Sequence, residues 1–387
     1  MNISLVHYIE QIRPGGGPRG YLNNLNEQVK INGSLIVSIM SRNATNNRQK
    51  NTVSAVRKIG LIGSIQRLIY YFIFGFRDTY KFTSDEIIEL RKASIIIFHR
   101  RGHLDSYFRQ VKNRGEQMVF AMPHNPISPI EESISLMPIS HGVMVSKIWR
   151  LITKLLCKME VESFSKADGL LLASENSTES YYASFPELKN KFDSIKKYVI
   201  NSGVNELVVN KNFESDNILP EQVMDKIKVC FFGRYESVKG YDIFIDLAKS
   251  KKFLDSYCFI SAGSGSKSVD SFDNYFNLGW RNDIAELIYS ADVIVVPNRV
   301  SYFDLIILES LSLGKPVVTS NVGGGRDIYG TGVYKYNNTQ ELEEILLSKK
   351  YLSNCPLDIK ANFLKKYSSN AMLSRYENLA KSICKGL

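Results

Sequence analysis

Between Ala291 and Gly325 the chain reads ADVIVVPNRVSYFDLIILESLSLGKPVVTSNVGGG, and no other stretch narrows its fold as far. Ala291–Val296 and Pro316–Ser320 are short apolar runs of strand character. The residues between them read as a Pro-Asn turn, a loop and a helix over Asp304–Leu313. Strand, loop, helix start and strand is the arrangement in which open α/β sheets bind ligands, beyond the carboxyl ends of the strands. A helix start offers unpaired backbone N–H groups and the positive end of the dipole, which suit a phosphate. One acid, Glu309, sits inside that helix, with Ile306, Ile307, Leu308 and Leu311 around it. An unpaired carboxylate in such surroundings is costly, so its presence asks for a partner.

The same alternation runs through the rest of the chain. Asn2–Tyr8 reads as a strand, Pro14–Gly20 as a glycine-rich loop, and the residues through Val29 as an amphipathic helix with Leu22, Leu25 and Val29 on one face. Further strands are expected at Ser34–Met40, Ser94–His99, Gln117–Met122, Gly169–Ala173 and Lys197–Asn201. Helices are expected around Leu61–Phe76 and at Ser84–Lys92, Leu104–Lys112, Met144–Phe164 and Ser177–Phe185. Asn205–Lys226, polar and carrying Pro220, breaks the pattern. It resumes with strands at Ile227–Phe232, Tyr257–Ala262, Tyr275–Leu278, Val293–Val296, Val317–Ser320 and Gly332–Tyr336. Helices alternate with these at Tyr241–Ser250, Asp283–Tyr289, Asp304–Leu313 and Gln340–Leu347, and a last one covers Asn370–Cys384. Alternation of this kind predicts doubly wound parallel sheets, and 387 residues suffice for two cores. The expected domains are 1–205, a linker 206–226, and 227–387, with a last helix (about 370–384) that could cross back to the first.

Charge divides the chain in two. Residues 1–205 hold 27 Lys and Arg against 17 Asp and Glu, whereas the remainder holds 22 of each, so the whole formal excess of +10 lies in the first half. Such asymmetry points to an acidic partner, whether anionic lipid, a phosphorylated acceptor or nucleic acid. Met144–Phe164 places Lys147, Lys154 and Lys158 along one stripe, and Leu61–Phe76 is aromatic with Arg57, Lys58, Arg67 and Arg77 around it. Both fit a surface lying against anionic lipid, and both equally fit a solvated basic face. The chain carries no recognised nucleic-acid module. Leu61–Phe76 is too short and too polar to span a bilayer, and Met1–Ile9 lacks the basic start of a secretory signal. Five cysteines without CxxC spacing fit a reducing compartment, which places the expected location in the cytoplasm.

Several motifs, in order, resemble the GT-B-fold retaining glycosyltransferases of group 1, also called family 4. Phe232-Gly233-Arg234 with Ser237-Val238-Lys239-Gly240 matches the family's G-R-x-x-x-x-K-G. Leu278-Gly279-Trp280 and Ser290-Ala291-Asp292 match its next two signatures, Leu308–Val317 its l-E-A-m-a-x-G-x-P-V, and Gly323-Gly324 its G-G loop. In the first half, Gly15–Gly17, His124, Ser174-Glu175 and Gly203-Val204 follow in the family's order. The resemblance implies two Rossmann-like domains facing each other across a cleft. It also implies transfer of a sugar from a nucleotide diphosphate, UDP- or GDP-linked, to a glycan or lipid-linked acceptor with retention of configuration. Assembly of a bacterial surface polysaccharide at the inner face of the plasma membrane is the expected setting.

By that resemblance, Arg234 and Lys239 grip the diphosphate, where Arg supplies a planar fork and Lys a compact charge. Without the motif they read as a solvated pair beside a turn. Glu309 takes the place of the acid that accepts ribose hydroxyls. Gly233 precedes the cations, and Ser301, Phe303, Asp304 and Leu305 lie at the helix start that faces the donor phosphates and sugar. Trp280 and Arg281 fall where the family holds the nucleobase, although Trp280 could equally fill a core. Gly16 and Gly17 would let the backbone approach the donor, and His124 resembles the histidine that contacts the donor sugar. His99 and Glu175 read as structural. No D-x-D motif is present, so neither a catalytic metal nor a cofactor is expected.

One departure matters. The family often carries a first Glu eight residues before the second, a position held here by Ser301, and the Gly expected three residues further on is Asp304. A nucleophilic carboxylate at that place is lost, which makes a front-face reaction assisted by the leaving diphosphate the easier reading. The same change motivates an alternative, a non-catalytic binding subunit that keeps the fold. A Rossmann dehydrogenase is excluded, because the glycine loop, although Gly20 follows Gly15–Gly17, lies too far from the first strand and has no acid about twenty residues on.

Overall fold

A computed structural model describes residues 3–12, 17–42, 80–124, 143–179, 186–210 and 225–385. The expected helix at Leu61–Phe76, the loop at Ser41–Asn51 beyond Arg42, and Gly15 and Gly16 lie outside the described residues. The chain forms two compact units. The first comprises 1–172, 181–200 and 373–387, and the second 173–180 and 201–372.

In the first unit the strands are β1 (Leu5–Ile9), β2 (Val37–Ser41), β3 (Ile95–Phe98), β4 (Met118–Ala121), β5 (Gly169–Leu172) and β6 (Lys197–Val199). All pair in parallel, in the order β2-β1-β3-β4-β5-β6. Its helices are α1 (Gly17–Asn32), α2 (Ser84–Arg91), α3 (Arg101–Gln110), α4 (Val143–Phe164) and α5 (Lys189–Asp193). The buried run Ile95–Phe98 shows why β3 sits inside the sheet. Covered on both faces, it needs no polar alternation. A capping box opens α2, in which the Glu86 N–H donates to Thr83 Oγ1 at 3.2 Å and the Thr83 N–H to Glu86 Oε2 at 2.8 Å. Of the expected helix at Ser177–Phe185, Ser177 and Thr178 lie in a 3₁₀ turn at Glu175–Thr178, Glu179 is helical, and the remainder lies outside the described residues.

The second unit repeats the plan with β7 (Ile227–Phe232), β8 (Tyr257–Ala262), β9 (Tyr275–Asn277), β10 (Val293–Val296), β11 (Val317–Ser320) and β12 (Val333–Tyr336). Their order is β12-β11-β10-β7-β8-β9, again with every pair parallel. Helices α6 (Tyr241–Lys249), α7 (Ile284–Ser290), α8 (Leu305–Ser312), α9 (Thr339–Ser348) and α10 (Pro356–Lys366) belong to it, and α11 (Ser369–Lys385) closes the chain. Val229, Phe231, Val293 and Val295 pack into one cluster, while Cys230, Phe232, Ile294 and Val296 pack into another. Successive side chains of a strand point to opposite faces, so both faces of this sheet carry a core. From β9 the chain returns to the far side of β7 and lays β10 there. The loops after β7 and β10 therefore part at a topological switch point, where α/β sheets hold ligands.

Candidate functional site

Three loops of the second unit meet at that switch point. Gly240, with φ of +66°, ends the loop after β7, and a Cβ there would lie 1.8 Å from the Pro297 carbonyl oxygen. Only glycine lets the two loops close to this distance. The Arg299 N–H donates to the Val238 carbonyl at 3.0 Å, tying the same loops further along. Buried Tyr235 anchors the first loop to the end of β9, because its hydroxyl donates to Asn277 Oδ1 at 2.8 Å. That same oxygen accepts from the Gly279 N–H at 2.9 Å, which places Trp280 on a fixed turn.

Trp280 is 73% exposed, so it fills no core in this structure and offers a ring face to solvent. Arg281 is forked onto Asp283, with Nε at 2.8 Å from Oδ1 and the second nitrogen on Oδ2. Its side chain is thus occupied. Gly233 and Arg234 are half-buried at the mouth of the β7 loop.

Lys239, Ser301 and Asp304 form a cluster. Lys239 Nζ lies 2.6 Å from Asp304 Oδ1, and the Ser301 hydroxyl donates to Asp304 Oδ2. Asp304 caps α8 from a β-region backbone without a side-chain bond to the helix. Burial pushes its carboxyl up, but the Lys239 ammonium and the Ser301 hydroxyl outweigh it and hold the carboxyl below its ordinary range. The Gly-to-Asp departure therefore has a local consequence: the cation expected to meet phosphate is paired with a carboxylate. Phe303 is buried, and Leu305, the first residue of α8, is half-buried.

Glu309 stands one turn into α8, half-buried. Burial alone raises its carboxyl to about 7, with no charge nearby to offset it. A carboxylate held this way is poorly solvated and gains from any hydroxyl that donates to it.

The glycine loop Gly323–Gly325 backs the site. Cβ atoms on Gly323 and Gly324 would strike the carbonyls of Ser301 and Tyr302 at 1.9 and 1.8 Å. Residues 173–179 fasten this loop from behind. Asn176 donates twice to Asp327, at 2.9 and 2.7 Å, and Glu179 accepts from the Gly323 N–H and from Arg326 at 2.9 Å. Glu175, exposed, takes no part, and Glu179 is the acid that matters here, which motif spacing did not single out.

His124 belongs to the first unit, just beyond β4, half-buried, with its Nε2 at 2.7 Å from His99 Nδ1. Gly17 begins α1. Among the described residues no group of three His, Cys, Asp or Glu side chains is placed to hold a metal ion.

Residues 226–348 match the family described as glycosyl transferases group 1. The chain is 26% identical to the O-antigen biosynthesis glycosyltransferase WclY of Escherichia coli over 265 residues, 63% of this chain and 68% of that protein. Among solved structures it resembles the sucrose-phosphate synthase of Thermosynechococcus elongatus, with a TM-score of 0.64 and 13% identity over the whole of both chains. It also resembles Anabaena Alr3699/HepE in complex with UDP and glucose, with a TM-score of 0.58 and 14% identity over 98% of this chain and 100% of that one. At such identities the two structures speak for the fold.

Proposed function

The chain is a GT-B glycosyltransferase of group 1, and from that premise we propose a retaining enzyme that transfers a hexose from a nucleoside diphosphate to a hydroxyl of a bacterial surface polysaccharide. UDP is the favoured nucleotide, on the likeness to a fold solved with UDP and glucose, and GDP the second. The polysaccharide class follows the O-antigen relative. One observation carries the reading: Glu309, a half-buried carboxylate with no compensating charge, stands on the helix that starts at the switch point. Ribose hydroxyls supply the donors it lacks, and the nucleobase stacks on exposed Trp280.

Arg234 and Lys239 then face the diphosphate, where preorganised cations lower the barrier by meeting the charge that develops on the leaving group. In the step, the bond from the anomeric carbon to the β-phosphate oxygen breaks. The acceptor oxygen bonds to the same face of that carbon, and its proton passes to the departing phosphate. Ser301 offers no carboxylate for a covalent intermediate, and that of Asp304 is committed to Lys239 and Ser301. Phosphate oxygens entering the site compete with Asp304 for Lys239.

The acceptor is lipid-linked in this reading, and the first unit meets the anionic inner face of the plasma membrane. α4 supports this, because Lys147, Leu151, Lys154, Leu155 and Lys158 are exposed on it while Ile152, Leu156 and Cys157 are buried. Among the described residues no helix is long and apolar enough to cross a membrane.

The test is transfer from UDP- and GDP-hexoses to lipid-linked acceptors in anionic vesicles, with the product anomer read by NMR. Retention, lost in Arg234→Ala, is expected together with sedimentation of the protein with the vesicles. An inverted product removes the proposed mechanism, absence of any product leaves a binding subunit, and a protein that stays in the supernatant removes the membrane contact.

A further inference from the structure

Three strands of the second unit end side by side, and two of the loops that leave them carry residues assigned above to the nucleotide. Arg234 follows β7 and Trp280 follows β9. β8 lies between these strands in register with both, so that Ser261 pairs with Phe231 on one side and with Asn277 on the other. Backbone bonds join the loops beyond the strand ends. The Tyr235 N–H donates to the Ser264 carbonyl at 3.0 Å, and the Gly263 N–H to the Gly279 carbonyl at 2.8 Å.

Beneath these loops runs a row of buried hydroxyls. The phenol oxygen of Tyr241, which opens α6, lies 2.6 Å from that of Tyr275 in β9. Tyr275 lies 2.7 Å from Ser261 Oγ, Ser261 Oγ lies 3.1 Å from the Tyr235 hydroxyl, and Tyr235 lies 2.8 Å from Asn277 Oδ1. All four hydroxyl-bearing residues are buried. The rings of Tyr235 and Tyr241 also stack, with centroids 4.2 Å apart and planes inclined by 16°.

Each hydroxyl carries one proton, and each contact needs one. Backbone groups of fixed polarity decide where the protons go. The Gly279 N–H can only donate and the Val269 carbonyl can only accept. Asn277 therefore turns Oδ1 to the first, at 2.9 Å, and Nδ2 to the second, at 2.8 Å. Oδ1 has no proton to give, so Tyr235 donates to it. Tyr235 then accepts from Ser261, Ser261 from Tyr275, and Tyr275 from Tyr241, whose oxygen accepts from the Val269 N–H at 3.3 Å. Four protons serve four contacts, and no other arrangement serves them all. Donations that run one way polarise one another, which strengthens the row. It ends on the atom that holds Gly279, whose φ of +64° turns the chain into Trp280.

We propose that Tyr235 and Asn277 are positioning residues that fix the Trp280 turn relative to the Arg234 loop, so that the base platform and the diphosphate grip are spaced in advance for a nucleoside diphosphate. This role rests on the reading in which Trp280 stacks the base and Arg234 meets the diphosphate. A turn ordered before the ligand arrives spares binding the cost of ordering it. Pyrophosphate, which reaches only the cations, gains nothing from the row.

Two variants of the full chain test the role. Tyr235→Phe keeps the ring that stacks on Tyr241 and removes only the hydroxyl, whereas Asn277→Ala removes the acceptor shared by Tyr235 and Gly279. Without ligand, hydrogen exchange at the Gly279 N–H, read by NMR, is expected to quicken about tenfold in Tyr235→Phe, although that hydroxyl makes no bond to the amide. Calorimetric titration with UDP, GDP and pyrophosphate reads the second effect. The nucleoside diphosphate that binds is expected to weaken roughly threefold in Tyr235→Phe and roughly tenfold in Asn277→Ala, with pyrophosphate unchanged. Unchanged exchange at Gly279 in Tyr235→Phe, unchanged nucleoside diphosphate affinity, or equal weakening of nucleotide and pyrophosphate overturns the proposal. Should Asn277→Ala not fold, Tyr235→Phe decides alone. A wild-type protein that binds neither UDP nor GDP sinks the nucleotide reading and this role with it, whereas one that binds while exchange at Gly279 stays unchanged in Tyr235→Phe sinks the role alone.

Discussion

Glu309 ties the chemistry of the site to pH through a single carboxyl. Its folded value of about 7 lies above the 4.5 of a free glutamate, so between those values the folded protein keeps a proton that the unfolded chain releases. The sign follows: below about 4.5 the group is neutral in both states and costs nothing, and the cost grows as pH rises towards 7 and is complete above it. Glu309→Gln should therefore stabilise the empty protein at pH 8 by up to about 3 kcal/mol and have little effect at pH 4.5, as denaturant melts would show. Nucleotide-sugar binding runs the other way. Hydroxyls donating to the carboxylate favour its charged form, so wild-type affinity should fall about tenfold per pH unit below 7, and Glu309→Gln should bind weakly at every pH. A flat wild-type profile would remove Glu309 from the nucleotide site. The acid itself was legible in the sequence, because an apolar helix that carries one glutamate asks for a reason. The role of Asp304 was not. Read by motif it is a missing glycine, and its hold on Lys239 is a contact across 65 residues that spacing cannot supply.

At the scale of elements, the site is made by loops that touch. Gly240 combines a left-handed backbone with no room for a Cβ against Pro297, so Gly240→Ala should lower stability by roughly 2–4 kcal/mol. Thermal unfolding measures that loss, and a variant as stable as the wild type would show that the two loops can part freely. The strands were legible nearly to the residue, since a continuous apolar run bounded by turn residues has few other uses. α10 was missed, although Pro356 at its first position and Asp358 in its first turn are start signals. Its apolar residues are too few to announce it, and Ile359 and Phe363 are buried only because tertiary packing brings the rest of the core to them. The hydroxyl row was illegible for a related reason: strand register, and not sequence spacing, sets Ser261 and Asn277 side by side.

For the whole molecule, two parallel six-stranded sheets follow from an alternation that runs from one end of the chain to the other. Division of labour follows from charge and motif together. The diphosphate and nucleoside contacts proposed above lie in the second unit, outside the basic first half of the chain. The basic first unit carries His124 and the exposed lysines of α4. The account stands on the claim that the switch point of the second sheet holds a nucleotide sugar, and calorimetric titration of the full chain with UDP- and GDP-hexoses at pH 8 tests it most directly. It predicts one site per chain, weakened about tenfold or more in Glu309→Gln, where a charged acceptor of ribose hydroxyls is lost, and weakened also in Trp280→Ala. Binding of no nucleotide sugar, or binding that neither substitution changes, would contradict it.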